Sequence, residues 1–504
     1  MRPRASGGSR DVARLLADFG HDLPRHPAPQ ARHREPNLHH HAPMRGQLRR
    51  GGGWSAASAQ VSTWRMTSDQ APVLWPLIAT PGLPPTGAQL GIDQLSGGSF
   101  YADPLGWVLA DEVPVTNPNV FSFGKPGRGK SATTKAFILR MLDFGYRVLI
   151  LGDPKDEYEN LCRALGVEPF AIGHGLPARI NPLDFGPLGH GWADLDPAEA
   201  QRRSAVVFGR WLTLIRGLVG SQRIGDQRVP FGPTDETVIK TALGHLTGYT
   251  TGATRLVEPT IPALWRQLDE PAAELIGECR YRDRRDFYDS TRLLRDALGQ
   301  LVSGALAGLF DGPTTINVDW HAPIQSLSLS RLEPLGDEAV GIALTCLNSW
   351  GRAMREMAEL GDVRIVVRDE AWKQLRLGPE AVKSFDADLR LSRRDGDIQW
   401  AIAHKPSDLL SVGDQGSQAV SIAKDLLHLA DIKVLHGQDP GVAAELETLL
   451  GLGPIAQGLI TGWAMQGRGR ALWCVGEQTY KVQTVLHPLE HHLTYTNTAL
   501  EKAR

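Results

Sequence analysis

The alternation of apolar and polar residues changes character several times along this chain of 504 residues. From residue 120 onwards, short apolar runs alternate with stretches whose apolar residues recur every three or four positions, which is typical of strands alternating with helices. The runs at 120–124 and 147–153 flank a helical pattern at 131–144. This order predicts a βαβ unit, and therefore an α/β protein with a mainly parallel sheet. Further strand patterns occur at 314–318, 324–330, 363–368, 398–403, 432–435 and 471–475.

Residues 195–310 follow a helical pattern instead. Thr234, followed by Asp235 and Glu236, predicts the start of a helix, because acidic side chains suit the unsatisfied N–H groups of a first turn. We predict an α-helical insertion over 195–310, with the core divided into a first part at 120–194 and a second part at 311–504. Two apolar helix faces support this prediction, one formed by Ala205, Phe208, Trp211, Leu212 and Ile215 and one by Leu294, Leu298, Leu301 and Ala305.

The N-terminal region lacks any sustained apolar period. Its first 50 residues contain ten Arg, no Lys, four acidic residues and six of the sixteen His, interleaved with Pro and Gly. We expect residues 1–63 to form a disordered basic arm. Residues 64–119 carry the pattern of short strands and turns, and we expect a β-rich segment that leads into the core.

Composition narrows the class of protein. A hydrophobic content of 42% and a charged content of 22% exclude a wholly disordered or fibrous chain. The net charge of −2 excludes a uniformly basic protein that coats nucleic acid, but it does not exclude a local basic patch. Because the four cysteines form no CxxC pair, we expect reduced thiols in a cytoplasmic protein. The apolar runs fall far short of the roughly 20 residues that span a bilayer, so we expect membrane contact only through partner proteins.

A phosphate-binding loop is predicted between the first strand of the core and its helix. GKPGRGKS at 124–131 fits the pattern GxxxxGK[ST] in the strand-to-helix context that this motif requires. Lys130 would reach the β- and γ-phosphates of ATP, and the Ser131 hydroxyl would be a ligand of Mg²⁺. The residues expected to bind the nucleotide are Gly124, Lys125, Pro126, Gly127, Arg128, Gly129, Lys130, Ser131 and Ala132.

A second acidic site follows the apolar run at 363–367, as in a Walker B motif. Asp369 would hold Mg²⁺ through its water shell, and Glu370 would orient and deprotonate the attacking water. Arg368 interrupts the apolar run that usually precedes these acids. A strand that ends in a solvated acidic turn is the alternative, and the phosphate-binding loop upstream favours the catalytic interpretation.

Three further residues are candidates for catalysis. Arg393 and Arg394 follow a helical pattern at 379–391, and in a ring ATPase an arginine of one subunit can neutralise charge in its neighbour. Basic residues at a helix C-terminus are also favoured by the helix dipole, so both interpretations stay open. His404, at the end of the next strand, is equally consistent with a γ-phosphate sensor and with a structural histidine.

The charged turn at 153–157 also lies beside the predicted nucleotide site. Its charges are consistent with ordering the nucleotide edge or with a subunit contact. A plain solvated turn between a strand and a helix explains them equally well.

Six motifs follow one another along the chain. They are GKPGRGKS at 124–131, DPKDEY at 153–158, INPLD at 180–184, GLFDGPT at 308–314, RDEAW at 368–372 and HPLEHHLTYTN at 487–497. In this set the chain resembles the type IV secretion and conjugation ATPases of the VirB-four and TraC kind, within the HerA and FtsK superfamily. The resemblance covers about residues 70–504. It implies a RecA-like core with a helical insertion, ATP hydrolysis and a hexamer that acts at a membrane-embedded secretion channel. The family commonly has Gln where this chain has His404.

Three functions follow as hypotheses. The first is a cytoplasmic ATPase, peripheral at the inner face of the cell membrane through partners, that powers assembly or transfer by a conjugative type IV secretion apparatus. The second is a DNA translocase or helicase of the FtsK or HerA kind that acts directly on DNA. The third is a nucleotide-dependent assembly scaffold without turnover, against which the intact set of Lys130, Ser131, Asp369 and Glu370 argues.

Overall fold

A computed structural model of the protein describes residues 82–173, 175–225, 227–304, 306–316, 319, 321–356, 362–376, 379–410 and 418–495. The basic arm predicted at 1–63, and the β-rich segment predicted at 64–119 as far as residue 81, lie outside these residues. The described remainder of that segment includes two strands and a short helix.

One large sheet organises the described part of the chain. Its strand order is β2-β1-β13-β12-β11-β3-β10-β9-β4-β8-β5, while β6 and β7 pair separately as a hairpin. The strands from β11 to β5 in this order are parallel, and those from β11 to β2 pair antiparallel. The prediction of an α/β fold with a mainly parallel sheet is confirmed. The strands are β1 (Ala88–Asp93), β2 (Ser99–Ala102), β3 (Val120–Phe123), β4 (Arg147–Asp153), β5 (Phe170–Ala171), β6 (Arg223–Ile224), β7 (Gln227–Arg228), β8 (Ile324–Ser328), β9 (Arg364–Arg368), β10 (Asp397–Ala403), β11 (Ile432–His436), β12 (Arg470–Val475) and β13 (Gln478–Thr484).

The strand predicted at 314–318 is wrong over its described residues. Residues 314–316 are irregular, because their polar groups bond to another loop instead of to a strand. The Thr315 N–H donates to the Arg179 carbonyl at 3.1 Å. The Thr314 hydroxyl accepts from the Asn181 N–H at 2.9 Å.

Helices cover both faces of the sheet, and those between β5 and β8 share one apolar core with β8 and with the helix that follows it. Asp196 caps the long α4 by accepting the N–H groups of Ala198 and Glu199. Within the described residues, no helix combines the length and apolarity needed to cross a membrane. The helices are α1 (Pro104–Leu109), α2 (Lys130–Met141), α3 (Glu159–Ala164), α4 (Pro197–Ser221), α5 (Pro233–Thr247), α6 (Ile261–Asp269), α7 (Ala273–Glu278), α8 (Arg284–Ser290), α9 (Arg292–Ser303), α10 (Asp337–Glu356), α11 (Ala371–Leu375), α12 (Pro379–Asp395), α13 (Pro406–Leu410), α14 (Gln418–His428), α15 (Pro440–Leu450), α16 (Pro454–Thr461) and α17 (Pro488–Thr494).

The central strands are mostly apolar because both of their faces are buried. In β10, Trp400 packs on Phe137 of α2 with ring centroids 4.7 Å apart. Its neighbour Ala401 points to the other face and joins a core with Phe385 of α12. Alternate residues of a strand therefore serve separate cores on the two faces.

Apart from Arg393 and Arg394, the predicted site residues lie at or beyond the carboxyl ends of three adjacent parallel strands. The phosphate-binding loop follows β3, His404 follows β10, and Asp369 and Glu370 follow β9. Because parallel strands end at the same edge of a sheet, this topology brings the three segments together.

Candidate functional site

The loop between β3 and α2 adopts a conformation that requires glycine. Gly127 and Gly129 have φ values of 75° and 101°, in the left-handed region. A Cβ on Gly129 would lie 2.5 Å from the Gly469 nitrogen. A Cβ on Gly124 would lie 2.6 Å from the Cβ of His436. The loop is thus packed directly against the ends of β11 and β12.

Backbone bonds to the neighbouring strands fix the position of this loop. The Gly124 N–H donates to the His404 carbonyl at 3.2 Å, and the Lys125 N–H donates to the Gly437 carbonyl at 3.0 Å. No side chain caps the start of α2 at Gly129. Its first-turn N–H groups are therefore available for phosphate oxygens, since a helix N-terminus favours anions.

The residues expected to bind the nucleotide divide into two groups. Lys125 Nζ forms an ion pair with Asp439 at 2.9 Å, and Arg128 Nη1 donates to the Met465 carbonyl at 2.7 Å. These two side chains and Gly124 do not line the cavity above the loop. The cavity, of about 1220 Å³, is lined by the other six, namely Pro126, Gly127, Gly129, Lys130, Ser131 and Ala132.

Lys130 is held inside the site. Its ammonium donates to the Gly124 carbonyl at 2.5 Å and lies 3.3 Å from Nδ1 of His404. Burial lowers the pKa of Lys130, while the carboxylates of Asp369 and Glu370 oppose the shift. The lysine is thus close to both acids predicted at the end of β9.

Asp369 also lines the cavity. Its carboxylate accepts the Glu370 N–H at 2.9 Å and the Tyr158 hydroxyl at 3.3 Å. Burial raises its pKa to about 6, and the carboxylates of Glu157 and Glu370 add to this effect. A divalent cation would relieve this clustering of charge. One carboxylate with the Ser131 hydroxyl fits Mg²⁺, which binds through few protein ligands together with waters and phosphates.

Glu370 is held by three donors. Lys155 Nζ and His404 Nε2 lie 2.5 Å and 3.2 Å from its Oε1, and Trp372 Nε1 donates to its Oε2 at 2.7 Å. Burial favours a higher pKa, but the bonds from His404 and Lys155 outweigh burial and hold the pKa of Glu370 well below its usual range. Its backbone has a φ of 50°, in the left-handed region that non-glycine residues rarely adopt.

Arg368 does not break the buried strand, because its charge is paired inside the protein. The side chain points away from α2 and is 2% exposed. Its Nη2 donates to Asp388 of α12 at 2.7 Å, and its Nη1 donates to Gln399. The guanidinium also lies 4.7 Å from the ring centroid of Phe385. Partners on α12 and β10 make an arginine compatible with this position.

Arg393 and Arg394 lie away from the cavity of their own chain. They end α12, just before β10 begins at Asp397, and so lie at the opposite edge of the sheet from His404. Both are exposed. Arg394 Nε donates to Asp395 at 2.8 Å, and Arg393 Nη1 donates to the Thr116 carbonyl at 3.4 Å. If these arginines contact a nucleotide, it would have to be one bound in the cavity of a neighbouring subunit.

The charged turn after β4 borders the cavity and combines a buried aspartate with a half-exposed lysine. Asp153 is buried and accepts the N–H groups of Glu157 and Tyr158 at 2.8 and 2.7 Å. Burial raises its pKa to about 7, although these two bonds oppose the shift. The turn directs Lys155 and Glu157 into the cavity.

Sequence reasoning missed the far wall of the cavity. This wall comes from the β12–β13 region, the helix α17 and the turn after β1. For this wall, the sequence offered only the motif at 487–497, which contributes to the family resemblance but to which no role was assigned. The missed lining residues include Gln94, Gly467, Arg468, Gly469, Arg470, Gln483, Thr484, His491, Thr494 and Tyr495.

Comparisons with known proteins identify the fold. No family model matches the chain, and no curated protein sequence matches it. Among solved structures, VirB4 of Thermoanaerobacter pseudethanolicus is similar, with a TM-score of 0.63 and 23% identity over 82% of this chain and 100% of that chain. The bacterial conjugative coupling protein TrwBdeltaN70 has a TM-score of 0.52 and 12% identity over 80% and 90% of the two chains. These likenesses establish a shared fold.

Proposed function

We propose that this chain is a Mg²⁺-dependent ATPase that serves a conjugative type IV secretion apparatus. The observation that carries this proposal is the meeting of the phosphate-binding loop, Asp369, Glu370 and His404 around one cavity. Ligand cavities are typically about 300–1,000 Å³. A cavity of about 1220 Å³ therefore has room for a nucleoside triphosphate with its cation.

The residues have distinct tasks in hydrolysis. The N–H groups of the loop and of the first turn of α2 receive the phosphates, and Lys130 moves from the Gly124 carbonyl to the β- and γ-phosphates. Ser131 and Asp369 would hold Mg²⁺, which when bound would supply neutralisation of charge on the phosphate oxygens. Glu370 accepts the proton of the attacking water, for which one of its oxygens must first be free of its present donors.

Two further roles concern the γ-phosphate. His404 contacts both Lys130 and Glu370, so we propose that it transmits the state of the γ-phosphate between them. Arg393 and Arg394 act in the cavity of the next subunit of a homo-hexamer, since their own cavity is at the other edge of the sheet.

The proposed cellular role rests on the ordered motifs together with the shared fold. The motifs resemble those of VirB-four ATPases, and a protein named VirB4 has this fold over most of the chain. We propose a cytoplasmic enzyme, bound at the inner face of the membrane through channel proteins, that powers assembly or transfer.

A translocase that acts directly on DNA is the second candidate. The observation that favours it is the fold shared with TrwBdeltaN70, which is described as a conjugative coupling protein. The two candidates differ in their stimulus, which would be DNA for the translocase and a protein partner for the secretion ATPase. A scaffold without turnover is disfavoured, since the residues required for hydrolysis line the cavity.

The test is the steady-state ATP turnover of the full chain at fixed low salt, with and without double-stranded DNA. The variant Glu370→Gln is the negative control, or blank, because it should bind ATP without hydrolysing it. Turnover that is lost in this variant and indifferent to DNA supports the secretion ATPase. Strong stimulation by DNA that survives deletion of residues 1–60 supports the translocase. Wild-type turnover no higher than the blank contradicts both and supports a scaffold.

A further inference from the structure

Lys155 bridges two strand ends within the cavity. It follows β4 in the turn after Asp153, and its side chain is about half exposed, at 51%. From there its ammonium reaches Oε1 of Glu370, which follows β9, at 2.5 Å. Lys130 lines the same cavity from the phosphate-binding loop. The site therefore places two lysines around one buried carboxylate.

Both oxygens of Glu370 are engaged in this arrangement. Oε1 faces Lys155 and His404, and Oε2 accepts from Trp372. A carboxylate oxygen that already accepts hydrogen bonds from cationic or polar donors is a poor acceptor for the proton of a water molecule. In the observed geometry, Glu370 is therefore not able to accept the proton of a water molecule.

The partners of Glu370 differ in how easily they can leave. Trp372 lies two residues away, in the helix that begins directly after Glu370, so its bond is local. Lys155 belongs to a different strand end, and half of its side chain is exposed to the cavity. A γ-phosphate bound at Lys130 would present more negative charge to Lys155 than a carboxylate does. Lys155 is therefore the partner that a triphosphate can draw away.

We propose that Lys155 is a positioning residue that holds Glu370 inactive until a γ-phosphate binds. The proposal rests on the proposed ATPase function. Without a γ-phosphate, Lys155 pairs with Glu370. When a triphosphate binds, the ammonium transfers to the γ-phosphate, and Oε1 keeps only His404 as a donor, so that its second lone pair can orient water. A ligand shifts such an equilibrium only by its differential affinity for the two states, so ADP leaves the pair intact.

Trp372 provides a spectroscopic probe for this rearrangement. The full chain, which has 13 tryptophans, is labelled with 5-fluorotryptophan, and the fluorine resonance of Trp372 is the one lost in Trp372→Phe. In the wild-type chain we expect Mg²⁺ with ADP to leave this resonance in place and Mg²⁺ with a non-hydrolysable ATP analogue to move it. In Lys155→Met, both nucleotides should give the same position. A wild-type resonance that does not distinguish the nucleotides, or a distinction that persists in Lys155→Met, overturns the proposal.

Nucleotide affinities provide a second readout that does not depend on turnover. Lys155→Met should bind the ATP analogue about tenfold more weakly and ADP unchanged, because only the analogue offers an acceptor to Lys155. Lys155→Arg should retain most of the wild-type preference for the ATP analogue over ADP. Lys240→Met, at an exposed position on α5, is the matched control and should change neither affinity.

The failures of the two proposals are distinguishable. If the wild-type chain binds neither nucleotide, the proposed ATPase function fails and the role of Lys155 fails with it. If the wild-type chain binds and hydrolyses ATP while Lys155→Met weakens both nucleotides equally, only the role of Lys155 is overturned.

Discussion

Arg368, the residue before Asp369, donates a hydrogen bond to Asp388 at 2.7 Å, and both side chains are buried. Asp388 also accepts from Arg352 at 3.3 Å and from Arg355 at 2.6 Å. The three arginines hold the pKa of Asp388 below its usual range, even though burial acts to raise it. One carboxylate on α12 thus stabilises the strand that ends at the predicted metal site.

Removal of this carboxylate should destabilise the protein strongly. Asp388→Ala leaves the buried guanidinium of Arg368 without its carboxylate partner, and breaking a buried ion pair on one side costs about 3–5 kcal/mol. The free energy of unfolding in urea measures the loss. Asp386→Ala, which removes an i,i+4 pair with the exposed Arg390 on the same helix, is the control and should cost about 0.5 kcal/mol. Equal losses in the two variants would contradict this account.

Two glycines of the phosphate-binding loop should differ in their tolerance of a methyl group. Gly127 and Gly129 both have a left-handed backbone, so an alanine at either costs about 1–2 kcal/mol in backbone strain. A Cβ on Gly127 has no atom within 4 Å, whereas one on Gly129 meets Gly469 backbone atoms at 2.5 and 2.9 Å. Gly129→Ala should therefore lower the thermal midpoint more than Gly127→Ala and also weaken ATP binding. Equal midpoints would show that the close approach to Gly469 does not matter.

Stability should depend on pH through Asp153. Its folded-state pKa of about 7 lies above the ordinary value of 3.8, so the folded protein holds a proton that the unfolded chain releases between these values. The free energy of unfolding should fall as pH rises through this window, by up to about 1.4 kcal/mol per pH unit from this group.

Asp153→Asn should remove this contribution and flatten the dependence, as urea unfolding at about pH 5 and 7 would show. Asp143→Asn, on the exposed turn after α2, changes the net charge equally and serves as the control. An unchanged slope in Asp153→Asn would mean that Asp153 is ionised in the folded protein across this range.

Arg393 and Arg394 should act only between subunits. If one of them reaches the γ-phosphate of a neighbour, its replacement by Ala should reduce turnover by about 10³-fold or more while the affinity for ATP changes little. Mixed assemblies with Glu370→Gln chains should then recover some turnover, because each variant supplies what the other lacks. Arg390→Ala, on the same helix, is the control. If the Arg393 and Arg394 variants turn over ATP as fast as this control, both arginines only stabilise the C-terminus of the helix.

The agreement between sequence and structure is best where the signal is local. The strand predicted at 147–153 is β4, and the helix predicted at 131–144 covers α2 and the turn after it. Here the apolar period and the turn residues act within a few residues of each other. The prediction at 314–318 is wrong in its described part, because bonds to the loop at 179–181 override the local pattern.

The sequence by itself determined the phosphate-binding loop, the acids after β9 and the parallel arrangement that places both at one sheet edge. These features follow from residue type, short spacing and the order of strands and helices. Only the tertiary structure decided that Lys155, His404 and Trp372 hold Glu370, that Asp388 pairs with Arg368, and that the β12–β13 region closes the cavity. These contacts join segments separated by up to hundreds of residues. Their geometry depends on which strands become neighbours, and a local pattern of apolar and polar residues does not encode that choice.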